Sequence, residues 1–459
     1  MDGFVCVDVG STFTKAALVD GETGELLATA THRTTIPDHD GNGDVLDGID
    51  ACRAALERRH PTAADAEVLA CSSAGGGLRI AVVGNEELVT AEAGRRVALS
   101  SGGKVVAVLS RDSDDAAFGD LADLTRPDVV LLTGGTDGGD EDGILEGARR
   151  LGSSGWQGPV VIAGNASARE AVAAVLAGWP VVVTDNVVPR IGVLAPEPAR
   201  RAIREMFLEH VIGGKGLSSR ADFTAMVQGA TPDLVLTGVE VLAAGSGNDV
   251  VVVDIGGATT DVHSVVRLDP EDAGLPREVV ATTPVTRTVE GDLGMRWSAM
   301  TTWEAGYDAG LLDEDLRPAA VRRSADPSLL PATDAERHED ELIASAAALL
   351  ALRRHAGRSR VAVGPDGRVV ERTGKDLREV TLLVGSGGVL RHAAAWTAER
   401  LLEGLTGTSP DGWQLPEHAR VVVDHDYVLA AVGLLSERRP RAASALARSL
   451  TTCDETPGG

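Results

Sequence analysis

Two short segments constrain this chain more than anything else in it. DVGSTFTK spans Asp8 to Lys15, and DIGGATTD spans Asp254 to Asp261. Each sets an aspartate at the end of an apolar run, FVCV before the first and VVVV before the second, and then passes into glycine and hydroxyl residues. An apolar run, a glycine turn and a return to apolar alternation is the pattern of a β-hairpin. Glycine lets backbone N–H groups approach phosphate oxygens closely. Ser and Thr hydroxyls add donors, and an aspartate at a strand end can hold Mg2+ through water. The expectation is that the two turns face each other and clamp a nucleoside triphosphate.

A third glycine turn, GSGG from Gly385 to Gly388, follows a Val-rich strand and precedes a helix. There a flat base can lie against bare backbone near a helix N-terminus. With this third turn the chain resembles the superfamily of actin, the 70-kDa heat-shock chaperones and sugar kinases. The resemblance implies an α/β fold: a two-lobed actin-like ATPase with ribonuclease H-like lobes. It implies ATP or ADP with Mg2+ as cofactors. It makes Asp8 and Asp254 the metal residues, and Asp8 and Asp261 the candidates for orienting the attacking water. Gly10, Ser11, Thr12 and Lys15 would serve the first phosphate loop. Gly256, Gly257, Thr259 and Thr260 would serve the second. Gly385, Ser386, Gly387 and Gly388 would form the adenosine motif. Strict alternation allows only one of Thr14 and Lys15 to face the loop. Ala258 stands where family members often carry a third glycine.

Between the two hairpins the rhythm changes. Apolar strand candidates recur at Ile80–Gly84, Val105–Ser110, Val129–Gly135, Pro159–Gly164 and Pro180–Asp185, with helical segments in the gaps. This alternation predicts an inserted, doubly wound parallel sheet. The expected division is a first lobe over 1–78, the inserted Rossmann-like domain over 79–195, a second lobe over 196–440 with a helical subdomain at about 290–360, and a flexible tail over 441–459. Within the second lobe, a helix is expected over Asp334–Ala356, a hairpin turn at PDG (Pro365 to Gly367), and a helix from Arg391 to Leu405. The region opening at Thr288 is expected to be mostly helical. Glu290 and Asp292 lie in a glycine-flanked loop that could reach the site. The TGGTDGG turn, Thr133 to Gly139, ends the central strand of the insert, and reads either as a ligand or partner site or as a tight turn.

The opening GSTFTKAALVD, together with TGGTDGG, PRIGVL at Pro189 to Leu194 and TVEGDLGMR at Thr288 to Arg296, narrows the resemblance. It is similar, from end to end, to the glutamate mutase accessory family, called MutL or GlmL in glutamate fermentation and unrelated to mismatch-repair MutL. What that implies is an ATP-dependent reactivating factor, a chaperone whose partners are the subunits of an adenosylcobalamin-dependent mutase and which promotes exchange of damaged cobalamin. The inserted domain is then expected to carry the mutase contact. Two other readings stay open: a sugar or acid kinase of the same superfamily, and an actin-like filament protein.

Composition supports this frame. A net charge of -25 repels nucleic acid and anionic lipid, so neither is an expected partner. No run of apolar residues is long enough to span a bilayer. The N-terminus enters a strand directly, and Cys6, Cys52, Cys71 and Cys453 show neither CxxC nor zinc spacing; the expectation is a cytoplasmic protein with reduced thiols. No DxHxxG cobalamin motif and no cysteine cluster for an iron–sulfur centre is present. Self-association is left open.

Overall fold

The computed structural model describes residues 2–37, 43–218, 220, 222–267, 283–364 and 367–452. The chain divides into two compact units, one running to Gly238 and including Leu429–Leu446, the other built mainly from Pro284–Val428 and the stretch following Val239.

In the first unit, β1 (Gly3–Val9), β2 (Phe13–Asp20), β3 (Leu26–Arg33) and β4 (Glu67–Ser72) form a sheet. β1 pairs antiparallel with β2 and parallel with β4. Its apolar residues are buried on both faces, as a central strand requires. The β2–β3 turn closes on Asp20, whose Oδ1 accepts the Glu22 and Thr23 N–H groups at 2.9 and 2.8 Å.

The insert follows: β5 (Leu78–Val83), β6 (Gly103–Leu109), β7 (Val129–Leu132), β8 (Val160–Ile162) and β9 (Val181–Val183). All are parallel, in the order β6-β5-β7-β8-β9. The winding reverses at β5, the doubly wound arrangement expected. One face of this sheet (Ile80, Val82, Val129, Leu131, Val161) shares a core with Val5, Val7 and Leu46 and with the helix Glu197–Met206. The other face builds a core of its own with Phe118, Ile144 and Trp156.

The chain then returns to the first sheet. β10 (Val227–Ala230) pairs parallel with β4 and completes the order β10-β4-β1-β2-β3. This corrects the expected start of the second lobe at 196: an edge strand that short carries little periodicity, and only its partner β4 assigns it.

The second unit repeats the plan. β11 (Val250–Ile255), β12 (Thr260–Val265), β13 (Val285–Glu290), β16 (Leu382–Ser386) and β17 (Arg420–Val423) take the order β13-β12-β11-β16-β17. β11 pairs antiparallel with β12 and parallel with β16, and β16 pairs parallel with β17. Both sheets are therefore three antiparallel strands followed by two parallel ones. This is the ribonuclease H-like sheet of the actin-like fold, built twice, with the parallel α/β domain inserted in the first copy.

Three further expectations change. Val285–Glu290 is a strand, so the helical region begins only at the helix Ala299–Asp308. The helix expected over Arg391–Leu405 is two, Gly388–His392 and Ala395–Glu403. The tail is helical over Pro440–Thr452, burying Ala443, Leu446 and Ala447 along one stripe; its small residues hid that amphipathicity in the sequence. The long helix Asp334–His355 is capped at Thr333 by a capping box with Glu336. β14 (Arg358–Gly364) and β15 (Gly367–Thr373) pair antiparallel; Pro365 and Asp366 of the expected PDG turn, and Cys453, lie outside the described residues. Cys6, Cys52 and Cys71 are buried free thiols.

Candidate functional site

The two expected hairpins exist and match position by position. In the first, the Gly10 N–H donates to the Phe13 carbonyl at 3.1 Å; in the second, the Gly256 N–H donates to the Thr259 carbonyl at 2.9 Å. Val9 pairs with Thr14 and Asp8 with Lys15; Ile255 pairs with Thr260 and Asp254 with Asp261. Ser11 and Thr12 at one tip, and Gly257 and Ala258 at the other, are exposed. Among the described residues, the N–H groups of these four make no hydrogen bond, so each tip presents two free backbone donors.

The charges beneath the tips differ. Lys15 Nζ lies 3.3 Å from Asp8 Oδ2, a cross-strand ion pair on one face of the hairpin. Thr14, next to Lys15, is fully buried, so alternation puts Lys15 on the side of Asp8. Thr231 Oγ1 donates to Asp8 Oδ1 at 2.7 Å. Asp8 is thus held by an ammonium and a hydroxyl.

In the second hairpin the position of Lys15 is occupied by Asp261. Its countercharge comes from β13, where buried Arg287 donates to Asp261 Oδ1 at 2.9 Å from Nε and 2.6 Å from an Nη. Thr259 Oγ1 donates to Asp261 Oδ2 at 3.1 Å. Thr260 is fully buried, which removes it from direct ligation; the reason is the strand period, since its neighbours Thr259 and Asp261 take the other face. Glu290 and Asp292 are both bound by Arg354, at 2.8 Å to Glu290 and 2.7 and 2.8 Å to Asp292. Burial raises the pKa of Glu290 despite Arg354, whereas the Arg354 hydrogen bonds lower that of Asp292.

The GSGG turn adjoins the second hairpin, since Asp254 pairs with Ser386 across β11 and β16. Gly385 and Ser386 are strand residues within the core: a Cβ on Gly385 would lie 2.5 Å from Leu402 and 2.7 Å from Leu390. Packing therefore requires a glycine at 385. Gly387, at φ 111°, passes so close to the Ile255 backbone that any side chain would collide. Gly388 is exposed at the first turn of the helix Gly388–His392.

The TGGTDGG turn is consumed by its own neighbours. Asn165 bonds Gly138 N–H and the Gly139 and Asp140 carbonyls, and Asn186 bonds the Gly135 carbonyl and Asp137. This geometry is that of a tight structural turn.

Sequence reasoning missed Thr231, Arg287 and Arg354. Thr231 had a signal: Thr-Pro directly before an apolar run marks a helix start, here that of Thr231–Ser246. The arginines had none, because their partners lie on other elements.

No helix among the described residues is long and apolar enough to cross a membrane. A family model described as MutL protein matches residues 4–450. Protein MutL of Clostridium tetanomorphum is 36% identical, covering 96% of this chain and 97% of its own. Among solved structures, a nucleotide-free acetone carboxylase matches with 16% identity and TM-score 0.40, over 94% of this chain and 70% of its own. Component A of the (R)-2-hydroxyglutaryl-CoA dehydratase of Acidaminococcus fermentans matches with 10% identity and TM-score 0.30, over 98% of this chain and 100% of its own.

Proposed function

The chain belongs to the MutL protein family, and from that membership and its duplicated hairpins we propose an ATP-dependent reactivating factor for an adenosylcobalamin-dependent mutase, glutamate mutase being the family default. One observation carries the nucleotide part: the same hairpin, in the same register and with the same exposed N–H-bearing tip, recurs in two sheets of equal strand order.

In this reading Ser11 and Thr12 donate to phosphate oxygens from one hairpin, and Gly257, Ala258 and Thr259 from the other, while the Gly10 and Gly256 N–H groups close the two turns. Gly388, exposed, offers bare backbone to the nucleoside, with buried Gly387 shaping the turn before it. Asp8 and Asp254 would hold Mg2+. The described residues contain no group of three or more His, Cys, Asp or Glu that could cage a metal. That fits an ion which keeps its waters and takes one or two carboxylates plus phosphates. When bound, Mg2+ would neutralise charge on the transferred phosphoryl group. The two carboxylates expected to orient water are both engaged, Asp8 by Lys15 and Thr231 and Asp261 by Arg287 and Thr259.

The mutase part rests on the family. A factor that grips the opened mutase more tightly in one nucleotide state shifts its equilibrium; taking it from 1:99 to 99:1 needs roughly 5.5 kcal/mol of differential binding. The test is to mix the chain with a mutase loaded with hydroxocobalamin and add ATP and Mg2+. Release of the cobalamin supports the proposal. Retention of cobalamin, or phosphorylation of an added sugar instead, refutes it.

A further inference from the structure

The TVEGDLGMR segment does more than end a strand. It turns back over the second hairpin and takes three successive carbonyls. Met295 N–H donates to Gly256 O at 3.0 Å, and Arg296 N–H donates to Gly257 O at 2.7 Å. Ser298 Oγ lies 2.7 Å from Ala258 O and 3.0 Å from Gly291 O. The approach is tight: a Cβ on Gly294 would lie 2.6 Å from the Ala258 carbonyl carbon. With its carbonyls held on one side, the tip turns the N–H groups of Gly257 and Ala258 the other way, since a peptide's N–H and C=O point in opposite directions.

The strap is anchored in turn. Arg296 donates to both oxygens of Asp340, at 3.1 and 2.8 Å, and to the Leu329 carbonyl at 2.9 Å. Asp340 is shared with Arg323, which is wholly buried and donates to it at 2.6 Å. Arg323 also reaches Glu339 at 2.9 Å. Charge-assisted bonds thus tie the helices Arg317–Ala325 and Asp334–His355 to the Arg296 side chain, whose backbone N–H makes the last link to the hairpin tip.

We propose that Gly294–Ser298 is a positioning strap that presets the N–H donors of the second hairpin for a polyphosphate, with Arg296 and Ser298 as positioning residues. This rests on the nucleotide reading above. It also accounts for Ala258: a tip pinned through its carbonyls does not need a third glycine to reach its geometry.

The test uses Arg296→Ala and Ser298→Ala in the full chain. Arg296→Ala leaves Asp340 its bond from Arg323, so no buried carboxylate is stranded. Ser298→Ala removes one exposed hydroxyl. Calorimetry with ATP and with AMP is compared for each variant. ATP affinity should fall about tenfold, the scale of one lost bond to a charged group, while AMP affinity stays as in the unsubstituted chain. An unchanged ATP-to-AMP ratio in both variants, or an equal loss for both nucleotides, overturns the strap. Failure of the unsubstituted chain to bind ATP at all sinks the nucleotide reading, and the strap with it.

Discussion

Asp261 shows how one residue's role depends on a partner on the neighbouring strand, 26 residues away in sequence. It was expected to orient water, yet Arg287, 4% exposed, is its counterion. Removing one member of a buried pair leaves an uncompensated charge and typically costs about 3–5 kcal/mol. Asp261→Ala should therefore lower the urea midpoint clearly, whereas a residue with a purely catalytic role would leave it in place. His263 and His355 make a second prediction at this scale. Burial, aided by Arg287 and by Lys375 respectively, holds both well below the usual histidine pKa. His355 bonds Thr288 and Ser264 with its two ring nitrogens. Both rings are neutral when folded and take up a proton on unfolding once the pH drops below about 6.5. Stability should thus fall with decreasing pH from there, by up to about 1.4 kcal/mol per pH unit for each ring until its folded pKa is reached. Denaturant titrations at pH 7.5, 6.5 and 5.5 check this, and a flat profile would contradict it.

At the scale of the element, helix starts and helix crossings decide the outcome. The capping box at Thr333 satisfies backbone donors at both ends of its first turn. Thr333→Ala should cost about 1 kcal/mol, read as a lowered thermal midpoint. The helices Thr231–Ser246 and Val428–Leu435 cross through reciprocal glycines: Gly238 lies against the Leu429 carbonyl and Gly433 against the Leu234 carbonyl. A methyl at either site collides with backbone, which cannot rotate away. Gly433→Ala should destabilise by about 1–3 kcal/mol, with a matching shift in denaturant midpoint. Element existence was legible in advance: β1, β2 and all five strands of the insert carry their own periodicity. β10 and β13 were not, because short, half-polar edge strands are specified by the strand beside them.

For the whole molecule, the insert is not a detachable module. Its strands β5 and β7 and the first sheet share one core. Deleting Arg79–Val188, the direct way to ask whether the insert binds a mutase, would strip Ile80, Val82, Leu131 and Val161 from that core. Aggregation of the deletion product is expected, measurable by light scattering. Surface substitutions on the insert are the cleaner probe of mutase contact.

The strand–turn–strand hairpins with their glycine turns and the parallel insert were settled by local pattern alone, since glycine placement and apolar period act over a few residues. The duplication of the five-stranded sheet, the pairing of Asp8 with Thr231 and Lys15 and of Asp261 with Arg287, and the strap over the second tip were decided by the tertiary structure. Each depends on which strand or loop arrives beside another. Long-range contacts leave no periodic trace in a single chain, because a counterion can come from any element the fold brings near.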